Sequence, residues 1–195
     1  MKHIHPPPTE DIIKDYLYKW KTLEKYVVQE SSINLLFNKL CPENKNIEDI
    51  MLKASVLNDF YSTNIFDVFT VSKHILDCNI DHDLENKDEN LVNKIALVDI
   101  KGKTKNFYSF ASKYCSHHRP EVYPIYDSYV DKMLMYFKEK DKFYSFIKED
   151  LKKYNRFLKI IRKFQHHYNL ENFTLREIDV YLWLAGKDYF QKKYK

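Results

Sequence analysis

The sequence predicts an all-α protein, and three observations carry that prediction. Glycine occurs 2 times and proline 6 times in 195 residues, too few for the tight turns of a strand-rich fold. Apolar residues recur every three or four positions along most of the chain, which is the spacing of one helix face. The breaks in that spacing carry residues that start or stop helices. A single helical domain spanning residues 1–195, large enough to bury a hydrophobic core, is the expected organisation.

The elements follow in order. After Pro6–Pro8 and the capping residue Thr9, the stripe Ile13, Tyr16, Leu17, Trp20 and Leu23 predicts a first helix. Ile33, Leu36, Phe37 and Leu40 predict a second, stopped by Cys41-Pro42. Ala54, Leu57 and Tyr61 lie on a third, and Ile65, Val68, Phe69, Ser72, Ile75 and Leu76 on a fourth after the STN break. Residues 77–90, DCNIDHDLENKDEN, are polar and aperiodic and read as a surface loop. Leu91 to Val98 reads as a short apolar helix. IALVDI is the one stretch with strand character, and with no second strand candidate to pair with, it is assigned to that helix and its end. Phe107, Phe110, Ala111 and Tyr114 mark the next helix. Val130, Met133, Leu134 and Phe137 mark one after Asp127, and Phe157, Ile160, Ile161 and Phe164 another. The last begins at Thr174 with Glu177 three residues on, a capping-box spacing, and is expected to end at Gly186. Trp20 and Trp183, on amphipathic stretches, are assigned to the core.

Composition excludes several classes. No run of apolar residues reaches the length of a membrane span, and the start MKHIHPPPTE is too polar for a secretory signal. A cytoplasmic protein, monomeric and without a membrane partner, is expected. Cys41, Cys78 and Cys115 are odd in number and far apart, which fits reduced thiols, with Cys115 packed on an apolar helix. His117-His118 and His166-His167 lack a metal-ligand spacing, so no metal and no cofactor is expected.

Charge is the informative feature. The net charge is +4, and its distribution is uneven. Between Ile100 and Pro120 stand Lys101, Lys103, Lys105, Lys113 and Arg119, with no Asp or Glu. His117, His118 and Arg119 read as a charged loop. Such a cluster is the footprint of a phosphate-bearing partner, and also of a solvated helix end. Gly102 stands where the chain must reverse between two helices, and backbone N–H groups at such a reversal receive phosphate well beside lysines. Downstream, Asp127 in YPIYDSYVDKML stands just before an amphipathic run. It reads equally as a helix cap and as a functional carboxylate.

IALVDIKGKTKNFYSFASKYC followed by YPIYDSYVDKML resembles the helix-hairpin-helix superfamily of DNA glycosylases, over residues 91–137. In that family a hairpin of the form L-P-G-V-G-x-K-T-A precedes a helix, and a motif such as V-D-T-H-V supplies a catalytic Asp. Laid over it without gaps, Gly102 falls on the second glycine and IYDSYV on the Asp motif. Ile100 and Asp99 replace the family's first glycine and its proline, and Thr104 stands where bifunctional members carry a nucleophilic lysine. The iron–sulfur cysteines of some members are absent.

The resemblance implies duplex DNA as partner and hydrolysis of the N-glycosidic bond of a damaged or modified base. Asp127 would be the catalytic carboxylate, stabilising positive charge on the sugar and directing a water. Lys101, Gly102, Lys103, Thr104 and Lys105 would hold phosphate, Tyr123, Tyr126 and Tyr129 would line a pocket for the extruded base, and Lys103 or Lys105 would be the amine of any lyase step. The gapless placement favours a monofunctional enzyme. Two alternatives stand beside it: a non-catalytic DNA-binding relative, and a helical interaction protein with no nucleic-acid partner.

Overall fold

Thr9 opens the first helix in the computed structural model, which describes residues 5–190. The helix, α1 (Glu10–Thr22), begins where the Ile12 N–H donates to Thr9 Oγ1 at 3.4 Å. The chain is mostly helical and divides into two compact units, residues 25–125 and residues 1–24 with 126–195.

In the middle unit, 25–125, α2 (Glu24–Leu35) runs on as a π turn over Leu36–Leu40 and stops at Cys41. Asn46 caps α3 (Ile47–Tyr61), and Asp67 caps α4 (Val68–Cys78) through the Thr70 N–H. The fourth helix therefore starts three residues later than Ile65, which stays in the preceding loop with its own buried anchor. The polar stretch 77–90 is not all loop: Asp81–Glu85 forms the short helix α5, seated by buried Leu84. After α6 (Leu91–Ala96) the expectation fails more instructively. Leu97–Ile100 leaves the helix as strand β1 and pairs antiparallel with β2 (Lys103–Asn106), from Leu97 opposite Asn106 to Ile100 opposite Lys103. α7 (Tyr108–His118) follows. α3 packs on α4 and α7, α6 on α4 and α7, and α4 also on β1. Ile50, Ala54, Leu57, Val71, Ile75, Ile95, Phe110 and Tyr114 fill this core.

In the terminal unit, Asp127 caps α8 (Ser128–Asp141), and a 3-10 turn (Lys148–Lys152) leads into α9 (Tyr154–His167). The capping box of Thr174 and Glu177 forms as expected and starts α10 (Leu175–Tyr189). That helix passes through Gly186 instead of ending there. A Cβ on Gly186 would lie 2.7 Å from Tyr129 Cβ, so the glycine lets α10 approach α8. α10 packs on α8 and α1 around Ile13, Met133, Phe137, Phe164, Tyr181 and Leu182. Trp20 and Trp183 are half-buried instead of core, meeting edge to face with centroids 5.9 Å apart, under Arg176 and Lys187 respectively. All three cysteines are free, Cys115 fully buried. Among the described residues no helix is long and apolar enough to cross a membrane.

Candidate nucleic-acid interface

The basic segment folds as a β-hairpin. Its two turn residues, Lys101 (φ 53°) and Gly102 (φ 75°), are both left-handed, the pairing of a type I′ turn whose twist suits two antiparallel strands. Asp99 closes the turn by accepting the Gly102 N–H on Oδ1 at 2.9 Å. The reversal assigned to Gly102 is therefore made between strands, not between two helices. Its backbone pairs across the ladder instead of offering a row of helix-start N–H groups. What it presents is side chains: Lys101, Lys103, Thr104 and Lys105 are all exposed. Lys103 and Lys105, two apart on one strand, share a face. Among the described residues none of these three lysine side chains has an ion-pair or hydrogen-bond partner.

The rest of the basic stretch is not at the surface. Lys113 is buried, its Nζ donating to Ser109 Oγ at 2.6 Å and lying over the Tyr61 ring. His117 and His118 are buried on the last turn of α7, which corrects their reading as a charged loop; only Arg119 is exposed. His117 Nε2 meets Tyr61 Oη at 2.9 Å.

His118 belongs to a polar cluster that sequence reasoning missed. Lys53, on α3, is completely buried. Its ammonium donates to Cys41 O (3.0 Å), Glu43 O (2.8 Å) and Asn44 Oδ1 (2.7 Å), which uses all three hydrogens. Asn44 Oδ1 also receives the Tyr114 hydroxyl at 2.6 Å, and Asn44 Nδ2 donates to Asp81 Oδ1 at 2.6 Å. His118 Nε2 faces Asn44 Nδ2 at 3.3 Å, whose second hydrogen is free to donate, so Nε2 accepts and the ring proton sits on Nδ1; Lys53 Nζ lies 3.4 Å away with its hydrogens already used. Burial, reinforced by Lys53 and Arg119, holds His118 well below the ordinary histidine range. Burial also pulls the Lys53 ammonium down to about 8, against the pull of Asp81. The signal in the sequence was Lys53 itself, standing in the apolar stripe of Ile50, Ala54 and Leu57. A cleft of about 360 Å³ lies over the cluster. Its lining carries Glu43, Asp81 and Glu85 against Lys45 and Arg119, a balance that disfavours a polyanion.

In the terminal unit, Asp127 takes the capping role: Oδ1 accepts the Tyr129 N–H at 2.8 Å. Oδ2 has no partner among the described residues. Tyr126 donates its hydroxyl to Asp131 Oδ2 at 2.8 Å and packs edge-on against Phe157. Tyr129 is half-buried with Lys132 over its ring. Tyr123 belongs to the middle unit, where it is fully buried and donates to Asp88 O at 2.9 Å, a core role rather than a pocket wall. Among the described residues no cluster of His, Cys, Asp and Glu is arranged to hold a metal.

The family model HI_0787_N, described as an N-terminal domain, matches residues 12–122. That range contains the whole hairpin and the Lys53–His118 cluster and stops short of Tyr126, Asp127 and Tyr129. A Haemophilus influenzae protein described as "Uncharacterized protein" is 47% identical over 147 residues, covering 75% of this chain and 70% of that protein. No solved structure matches the chain.

Proposed function

The chain belongs to the HI_0787_N family, and we propose that it is a DNA-binding protein that grips phosphate with the 97–106 hairpin. The observation that carries this reading is the set Lys101, Lys103 and Lys105, displayed on a tight two-stranded ribbon with no carboxylate in ion-pair contact among the described residues. The paired ribbon holds the backbone of these lysines in place, so meeting phosphate orders side chains alone, a positioning contact that carries no sequence information. Duplex DNA is the partner that the resemblance to helix-hairpin-helix glycosylases implies; the lysine ribbon, a strand pair and not a turn between helices, supports phosphate contact alone.

Salt dependence tests it. Binding to a labelled duplex should weaken steeply as salt rises. Replacing the three lysines together by Gln should reduce the log–log slope by roughly 2 to 3, since each phosphate contact contributes about 0.9. A triple variant with an unchanged slope removes the hairpin from the interface, and no salt-dependent binding by the wild type sinks the reading as a whole.

Asp127 favours a second reading, hydrolysis of an N-glycosidic bond. Its backbone-anchored Oδ1 fixes the carboxylate while Oδ2 stays open to a sugar or a water. Such a carboxylate can stabilise an oxocarbenium-like sugar. Lys103 and Lys105 both project into solvent, which supports a water-using reaction over a lyase.

A further inference from the structure

We propose that Phe66, with Phe69 beside it, stacks on unpaired bases, so that the protein holds nucleic acid where single-stranded bases adjoin the phosphates gripped by its hairpin; this rests on the nucleic-acid reading above. Phe66 is 98% exposed and Phe69 57% exposed. An isolated exposed apolar residue needs no explanation, but this one is displayed by construction.

The chain on either side of Phe66 is pinned. Ser62 and Asn64 turn the backbone with left-handed φ of 49° and 59°. Asn58 then clamps the loop: Oδ1 accepts the Ile65 N–H and Nδ2 donates to Ile65 O, both at 2.9 Å. Ile65 is buried. On the other side Asp67 caps α4, accepting the Thr70 N–H at 3.0 Å and its hydroxyl at 2.8 Å. Phe66 therefore stands between an anchored residue and a helix cap, and its ring has little backbone freedom left to lose on contact.

The surroundings say what it meets. α4 packs on β1. The Asp67 carboxyl, held down chiefly by its bonds to Thr70, also feels Lys101 of the turn. Phe66 thus lies at the corner where α4 meets the lysine hairpin. Lys73 is exposed one turn beyond Phe69. The nearby acids Asp67 and Asp99 are both occupied in closing turns. Aromatic faces interleaved with unpaired lysines match a strand that alternates bases and phosphates. Paired bases are already stacked and offer no face, so the patch selects unpaired ones. An apolar protein partner would have to desolvate the lysines around the rings.

The test compares oligo(dT), oligo(rU) and a duplex of equal length by fluorescence anisotropy, with wild type, Phe66→Ala and Phe66→Trp. Expected are tighter binding of a single strand than of the duplex, a roughly tenfold loss for Phe66→Ala on the single strand only, and an unchanged salt slope. The Trp variant should keep the affinity and be quenched by the oligonucleotide, and the two oligomers separate DNA from RNA. Phe66→Ala binding single strands like the wild type overturns this inference while hairpin-dependent duplex binding survives. Quenching of the Trp variant by phosphatidylserine vesicles and not by oligonucleotides overturns it in favour of a membrane surface. No binding of any nucleic acid ends both readings.

Discussion

Lys53 carries its ammonium into the middle unit with three neutral oxygens and no carboxylate in contact. A fully buried lysine is retained against its solvation, and here it fixes the loop after the π turn by holding Cys41 O and Glu43 O at once. The arrangement has a pH consequence. Burial brings the group down to about 8 in the fold against 10.5 in the reference state, a difference of about 3 kcal/mol. Below both values the two states carry the proton and the folded one bears the burial cost. Between them only the unfolded chain holds the proton, so unfolding free energy from this group rises with pH across that window. The buried tyrosines work in the opposite sense at higher pH, so the comparison has to be made against Lys53→Met, in which they cancel. The wild type should exceed the variant by a margin that widens from pH 8 to pH 10 in chemical denaturation. A margin constant with pH would show that Lys53 stays charged in the fold. Sequence periodicity could flag this residue as a lysine in an apolar stripe. The three oxygens that make the position tolerable come from a loop around Cys41 to Asn44, which no spacing rule connects to it.

Elements announced by their own residues were legible. Thr9, Asp127 and Thr174 each start the helix expected of them, because an N-cap is a local transaction between a side chain and N–H groups two or three residues on. The reversal at Gly102 was legible, but the strands on either side of it were not, for an equally physical reason. β2 reads KTKN, exposed throughout, with no apolar alternation to reveal a strand. Its partner β1 buries only Val98. Gly186 was misread because glycine is at once the preferred helix terminator and the residue that lets two helices touch, and only the neighbour decides. The consequence is testable. Propensity alone would make Gly186→Ala stabilising by about 1 kcal/mol. The added Cβ, however, would meet Tyr129 Cβ at 2.7 Å and Tyr129 O at 2.9 Å, neither a flexible side-chain end. Overpacking of this kind costs about 1–3 kcal/mol, so the substitution should lower the denaturation midpoint with the m-value unchanged. A raised midpoint would mean that α8 and α10 separate at little cost.

At the scale of the whole molecule, the features that suggested a function fall into different units. The hairpin and Phe66 belong to residues 25–125, and Asp127 to residues 126–195. The family match covers the first of these almost completely and excludes Asp127. A net charge of only +4 gives little long-range attraction for a polyanion, so affinity has to come from local lysines. Binding and any base release should then respond to different substitutions. On duplexes each carrying uracil, hypoxanthine, 8-oxoguanine or an alkylated purine, Asp127→Asn should keep the wild-type affinity and salt slope while abolishing abasic sites revealed by alkali. Since Asn also serves as a helix cap, the variant tests the charge of the carboxylate without removing the cap. The hairpin triple variant should show the converse, weaker binding with release restored at saturating protein. Release that survives Asp127→Asn would move the chemistry elsewhere in the chain. Binding without release on every duplex would leave Asp127 as the cap of α8 and the molecule as a DNA-binding protein whose hairpin does the holding.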